Sequence, residues 1–206
     1  MDIVRNADGR PTIIRMRKPA DMHHHLRRGA MLRAVVPMLA KRFALAIVMP
    51  NTLPDLITNV DAVRLYRAEI AAALATADHC FAPLMTLYLT DTLDPADVAF
   101  CVPGEAVGIK YYPRGLTTNS DNGVADPASL WTRGTVPFET LRILAAQGGV
   151  FLLHAADGVD RYGEVIDPYD QERHFLRETL PRIIDAHPEL KISIEHLSTA
   201  VGAAFM

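Results

Sequence analysis

Six short apolar runs, separated by longer segments of helical period, constrain this chain more than any other feature of it. They are Met22–Leu26, Leu45–Met49, Phe81–Leu89, Ala106–Tyr112, Val150–His154 and Lys191–His196. Runs of this length read as buried strands, and their alternation with helices predicts repeated βαβ units and a parallel sheet. The first helix carries its stripe on Leu32, Val35, Val36 and Leu39, and the last long one on Leu176, Leu180, Ile183 and Ile184. Helix starts are marked by a capping box at Thr58 and Asp61. They are marked again by Asp94-Pro95, Asp126-Pro127 and Asp167-Pro168, each an acceptor side chain ahead of a proline.

A doubly wound sheet and a (β/α)₈ barrel both fit this alternation. Function collects at the C-terminal ends of strands in both, but only the barrel aims side chains from every strand at one central site. Polar residues end almost every run here: His23 and His25, Asn51, Lys110, His154 and His196. The Gly-rich first turn of a doubly wound nucleotide site is missing, so the expected fold is an α/β barrel.

With 206 residues, half of them hydrophobic and 22% charged, the chain suits one globular domain spanning 1–206. A net charge of −3 supplies no basic field for a nucleic-acid backbone or an anionic membrane, so neither is expected as a partner. Cys80 and Cys101 are too few and too far apart for a disulfide framework or a Cys-based zinc site. No run approaches the roughly 20 apolar residues of a membrane span. The expectation is a soluble, cytoplasmic chain.

The chemistry sits at the strand ends. His23 and His25 are two residues apart, so on a strand they share a face and can hold one metal ion, while His24 points away. Three successive histidines are also compatible with a solvated run, but their place in an apolar strand favours ligands. Lys110 lies in an apolar run where a lone ammonium is costly to bury. Beside divalent cations, burial and like charge both favour its neutral amine, which can act as a nucleophile or be modified; otherwise it is a strand-end lysine reaching solvent. His154 and His196 each close an apolar strand; each alone could be a hydrogen-bonded core histidine, but together with the others they form a constellation. His79, His174 and His187 fall in or beside helices and read as surface residues.

Several strings in this sequence carry a resemblance. They are Asp21-Met22-His23-His24-His25-Leu26-Arg27, Ile47-Val48-Met49-Pro50-Asn51, Pro83-Leu84-Met85-Thr86, Lys110-Tyr111-Tyr112-Pro113, Thr117-Thr118-Asn119-Ser120 and Glu195-His196. In order and spacing, over residues 13 to about 200, the chain resembles the dihydroorotases of the amidohydrolase superfamily, of the single-function bacterial type with a carbamylated lysine. The resemblance implies a (β/α)₈ TIM barrel of which about the first six strands are present. It implies reversible zinc-dependent cyclisation of N-carbamoyl-L-aspartate to L-dihydroorotate in pyrimidine biosynthesis, on two Zn²⁺ per chain, and a homodimer when complete. By position, His23 and His25 would hold the more buried zinc, carbamylated Lys110 would bridge, and His154 and His196 would hold the second. Arg27 and Asn51 match positions that bind the substrate carboxylate, and Thr117 and Thr118 match a mobile loop. The bland readings are a solvated charge for Arg27, a turn residue for Asn51 and loop filler for the threonines.

The sequence departs from that family in places. The family's barrel has two more strands, and the eighth carries the aspartate that binds metal and moves the proton. That aspartate has no counterpart among these residues, so no catalytic acid–base is identified, and a C-terminally truncated fragment, inactive alone, is expected. His24 replaces an apolar residue, Arg28 stands where an acid is common, and His154-Ala155-Ala156 lacks the usual glycine and glutamate. Each departure weakens outer support for the metals. A catalytically dead relative acting through binding or assembly, and another cyclic amidohydrolase such as a hydantoinase, are the alternatives.

Overall fold

A computed structural model describes residues 2–75 and 80–205; His79 lies outside the described residues. The chain opens on an antiparallel hairpin, β1 (Asp2–Arg5) with β2 (Pro11–Arg15). No sequence period announced it, because every residue of both strands is exposed. Its turn is held by Asn6, whose Oδ1 accepts from the backbone N–H of Asp8 and Arg10.

The expected runs then appear as strands. They are β3 (Ala20–His24), β4 (Leu45–Val48), β5 (Ala82–Tyr88), β6 (Gly108–Tyr111), β7 (Val150–Leu153) and β8 (Lys191–Ile194). All pair in parallel, and each neighbour in the sheet is the next strand in the chain. A doubly wound sheet reverses its strand order at a switch point, and no reversal occurs here. This is a curled half-barrel with helices on its outer face. Gly108 is required by the curl: a Cβ there would collide with the carbonyl of Val150 on β7.

Helices α1 (Gly29–Arg42), α2 (Val60–Leu74), α3 (Pro95–Cys101) and α4 (Val136–Ala146) connect the strands. After β7, α5 (Gln171–His174) runs through a π-helical turn at Phe175–Thr179 into α6 (Leu180–Ala186), and α7 (Ala200–Phe205) follows β8. Between helices and sheet lies the main core, with Val48, Leu87, Ile109 and Phe151 facing Tyr66, Ile70, Leu144 and Leu180. A smaller cluster of Ile47, Met49 and Leu152 packs with Leu84 and Val150. No described helix is long and apolar enough to cross a membrane.

Several local expectations are corrected. The cap of α2 is Asn59, whose side chain accepts from the Ala62 N–H, and not Thr58. Asp94 caps α3 as expected, and Asp126 caps a short 3₁₀ turn. Asp167 accepts from the Tyr169 N–H in a turn, so the helix starts later, at Gln171. Ile184 is 42% exposed, off the buried stripe of Leu176, Leu180 and Ile183. His187 is buried with its Nε2 2.8 Å from the Leu130 carbonyl, and His174 is half-buried against Asp157 at 2.7 Å, so neither is a free surface residue.

Candidate metal centre

The strand ends bring four imidazoles into one cluster. His23 and His25 alternate along β3 and its extension, so both rings face inward and their Nε2 atoms lie 3.1 Å apart. His24 turns outward to Asp21, 2.8 Å away. His154 follows β7 directly, and His196 lies just past β8. Ring centroids are 5.0 Å apart for His23 and His25, 5.2 Å for His23 and His196, and 4.6 Å for His154 and His196. The first and last strands of the open sheet thus meet at their C-terminal ends.

Burial favours the neutral form of three of these rings, His25, His154 and His196. It pulls His25 down to about 4, helped by the charges of His23 and Arg27. His154 is drawn down to about 4 by burial and by His196. His196 is lowered by burial and by Lys110. Neutral imidazoles offer the lone pairs that metal binding demands.

Lys110, in β6, has no exposed surface. Its Nζ contacts Glu195 Oε2 and lies 5.2 Å from the Tyr112 ring centroid. Burial lowers its pKa against the opposing pull of Glu195. Burial acts to raise the Glu195 carboxyl, but His23 and the Lys110 charge outweigh it and leave the group below its usual range. Glu195 is the site residue that the sequence reading gave no role. Its Oε2 is also 3.0 Å from His23 Nδ1, and ligand atoms of His23, Glu195 and His196 all lie within 4.8 Å of one another. The available signal was an acid in an apolar strand directly before a candidate ligand.

The donor set fits divalent ions of borderline softness. Imidazoles converge from several strands, His23 Nδ1, His25 Nδ1 and Glu195 Oε1 are buried without hydrogen-bond partners, and a buried amine stands beside them.

Arg27 and His196 both carry positive φ, 60° and 42°. Non-glycine residues held this way cost about 1–3 kcal/mol and cluster at functional sites. Tyr66 donates to the Arg27 carbonyl at 2.8 Å, and the Arg27 guanidinium has no hydrogen-bond partner among the described residues. It opens on a cleft of about 920 Å³ lined also by Leu53, Glu69 and Asn119, whose lining includes none of the histidines. Neighbouring Arg28 is committed elsewhere, to Glu69 at 2.6 Å and 3.0 Å. Asn51 is buried and donates to the Thr118 carbonyl at 2.9 Å, while Asn119 donates back to the Asn51 carbonyl at 3.0 Å. Asn51 is therefore tied to the loop of Thr117 and Thr118, which is braced in turn by Ser120, whose Oγ accepts from the Thr117 N–H and donates to its carbonyl.

No protein-family model matches the chain. It is 39% identical over 187 residues to the dihydroorotase of Halorhodospira halophila and 41% identical over 196 residues to that of Neisseria meningitidis. These alignments take in 90% and 93% of the chain. By sequence the chain is similar to dihydroorotases over nearly its whole length. Among solved structures, the Campylobacter jejuni dihydroorotase superposes over 91% of the chain with a TM-score of 0.78 at 30% identity. The Saccharomyces cerevisiae dihydroorotase, solved with 5-fluoroorotic acid, gives 0.77 at 29%. The chain spans about half the length of these dihydroorotases, 50% and 51% for the two curated relatives and 50% for each structure. The half-barrel is thus a dihydroorotase fold with about six strands present.

Proposed function

We propose that this chain carries the metal-binding side of a dihydroorotase site, which interconverts N-carbamoyl-L-aspartate and L-dihydroorotate. The carrying observation is the convergence of His23, His25, Lys110, His154 and His196 from four strand ends on one place. His23 and His25 would hold one zinc ion, His154 and His196 a second, and Lys110 as its carbamate would bridge them. Bound there, the pair would polarise the ring carbonyl and acidify water near neutral pH.

The residues themselves perform the rest. Lys110 must be neutral for its nitrogen to bond to carbon dioxide and release a proton, and its complete burial favours that state. The unpaired Arg27 guanidinium presents a planar fork to the substrate carboxylate. Asn51 fixes the loop of Thr117 and Thr118 over the site's edge. A cytoplasmic location belongs to the same proposal, in keeping with two free cysteines.

Equilibrium binding to the zinc-loaded chain tests this reading. L-dihydroorotate should bind, and Arg27→Ala should weaken it by about tenfold or more with zinc retained, since a charge-assisted hydrogen bond is worth about 1.5–3 kcal/mol. A cyclic ureide lacking the carboxylate should bind as weakly as dihydroorotate does to the variant. Equal binding of both ligands to the wild-type chain overturns the assignment.

A further inference from the structure

We propose that the cavity between the loop after β7 and the π-helical turn at Phe175–Thr179 binds a small organic ammonium ion, with the buried carboxylate of Asp157 as its anchor. The inference is independent of the metal reading above.

Asp157 is 3% exposed, and its two carboxylate oxygens are served unequally. Oδ2 accepts from the Thr179 hydroxyl at 2.8 Å and lies 2.7 Å from His174 Nδ1, while Oδ1 is buried with no hydrogen-bond partner. A carboxylate oxygen left bare in this way is costly, because nothing replaces the water it has lost. Burial raises the Asp157 carboxyl against the opposing pull of His174 and Thr179, and a cation beside the bare oxygen would relieve that penalty.

Asp157, His174 and Thr179 all line a cavity of about 390 Å³, a size suited to a small molecule. Its wall also carries Asp126, Asp160 and Glu178, so four carboxylates stand against two guanidinium groups, those of Arg161 and Arg182. Neither arginine forms an ion pair among the described residues: Arg161 lies over the Tyr162 ring at 4.8 Å and donates to its hydroxyl, and Arg182 lies over the Trp131 ring at 5.5 Å. The backbone N–H groups of Glu164 and Tyr162 hold the Asp160 carboxyl below its usual range, so it stays charged. The carboxylates therefore outnumber the guanidinium groups, and the cavity favours a cation. Among the described residues only His23, Glu195 and His196 gather three ligand atoms closely enough for a metal ion, so the cation that fits here is a molecule. An ammonium group brings three donors to a wall of acceptors. Glu178 and Thr179 also belong to the π-helical turn, a departure from helical regularity that is frequent at functional sites.

The probe is 1,4-diaminobutane, whose two ammonium groups match the excess of carboxylates, with 1,4-butanediol as the uncharged control of equal length. Equilibrium dialysis of the radiolabelled diamine against the 206-residue chain should give saturable binding of about one molecule per chain, which the diol does not displace. Asp157→Asn and Glu178→Lys should each weaken binding by about tenfold or more. The first removes the anchoring charge; the second sets a cation of the chain's own at an exposed position on the wall. Asp157→Asn also disturbs the contacts to His174 and Thr179, so its fold is checked by far-UV circular dichroism, and if it does not fold Glu178→Lys decides. The proposal is overturned by an absence of saturable binding, by displacement with the diol as readily as with unlabelled diamine, or by an affinity unchanged in Glu178→Lys or in a folded Asp157→Asn.

Discussion

A histidine that stays neutral well below its ordinary pKa makes the fold sensitive to acid, and His25 and His154 are two of these. Both stand at about 4 when folded, against 6.5 for the free side chain. Between those values the unfolded chain binds more protons than the folded one, so stability falls as pH falls. Their contribution is whole above 6.5 and is lost progressively on the way down to about 4. The urea midpoint of the chelator-treated chain should therefore drop steadily from pH 7 to pH 4.5, and His154→Gln should flatten the slope. A midpoint insensitive to pH across that window would show that the rings are not buried together. The clustered histidines were legible because strand alternation and strand ends can be counted along a sequence. Glu195 was not, since its contacts with His23 and Lys110 form only where the curl of the open sheet brings those strand ends together. His187 was misread for the same reason: its partner, the Leu130 carbonyl, lies on another element.

At the scale of elements, β6 is the strand whose position matters most, because it places Lys110. Gly108 lets β6 approach β7, and any side chain at that position meets the Val150 backbone. Gly108→Ala should cost about 1–3 kcal/mol in urea unfolding, the range of overpacking, and should reduce zinc binding by displacing Lys110. Gly104, where a Cβ meets nothing within 4 Å, is the control: Gly104→Ala should change stability by no more than about 0.5 kcal/mol. Equal effects at both positions would mean that strand spacing does not govern the site. The six strands of the half-barrel were readable to within a few residues from apolar runs alone. The β1–β2 hairpin was not, because a strand exposed on both faces carries no burial pattern. Capping signals located helix starts loosely: Asn59 displaced its neighbour Thr58, and Asp167 closed a turn of its own before the helix began.

For the whole molecule, the strand order and the converging rings support the same proposal, which still requires an acid–base. General acid–base catalysis contributes about 10²–10⁴-fold and needs a titrating group free to move a proton. Among the described residues the clustered histidines are the proposed ligands, His24 is held by Asp21, His174 by Asp157, and His187 faces the Leu130 carbonyl. The 206 residues made alone should open dihydroorotate at least about a hundredfold more slowly than a full-length relative. Turnover closer than that would mean that another group supplies the proton transfer. The edges of the sheet add a second consequence: β3 and β8 each pair on one side only among the described residues, and Met22 on β3 is 61% exposed. Open edges of this kind template association, so light scattering of the isolated chain should grow with concentration. The central claim is that these strand ends hold metal, and the most direct measurement is zinc per chain, by elemental analysis after zinc-supplemented growth and dialysis. About two zinc ions per chain, falling to about one in His23→Ala/His25→Ala, is the predicted result; a content near zero in the wild-type chain, or one unchanged by the double substitution, would contradict it.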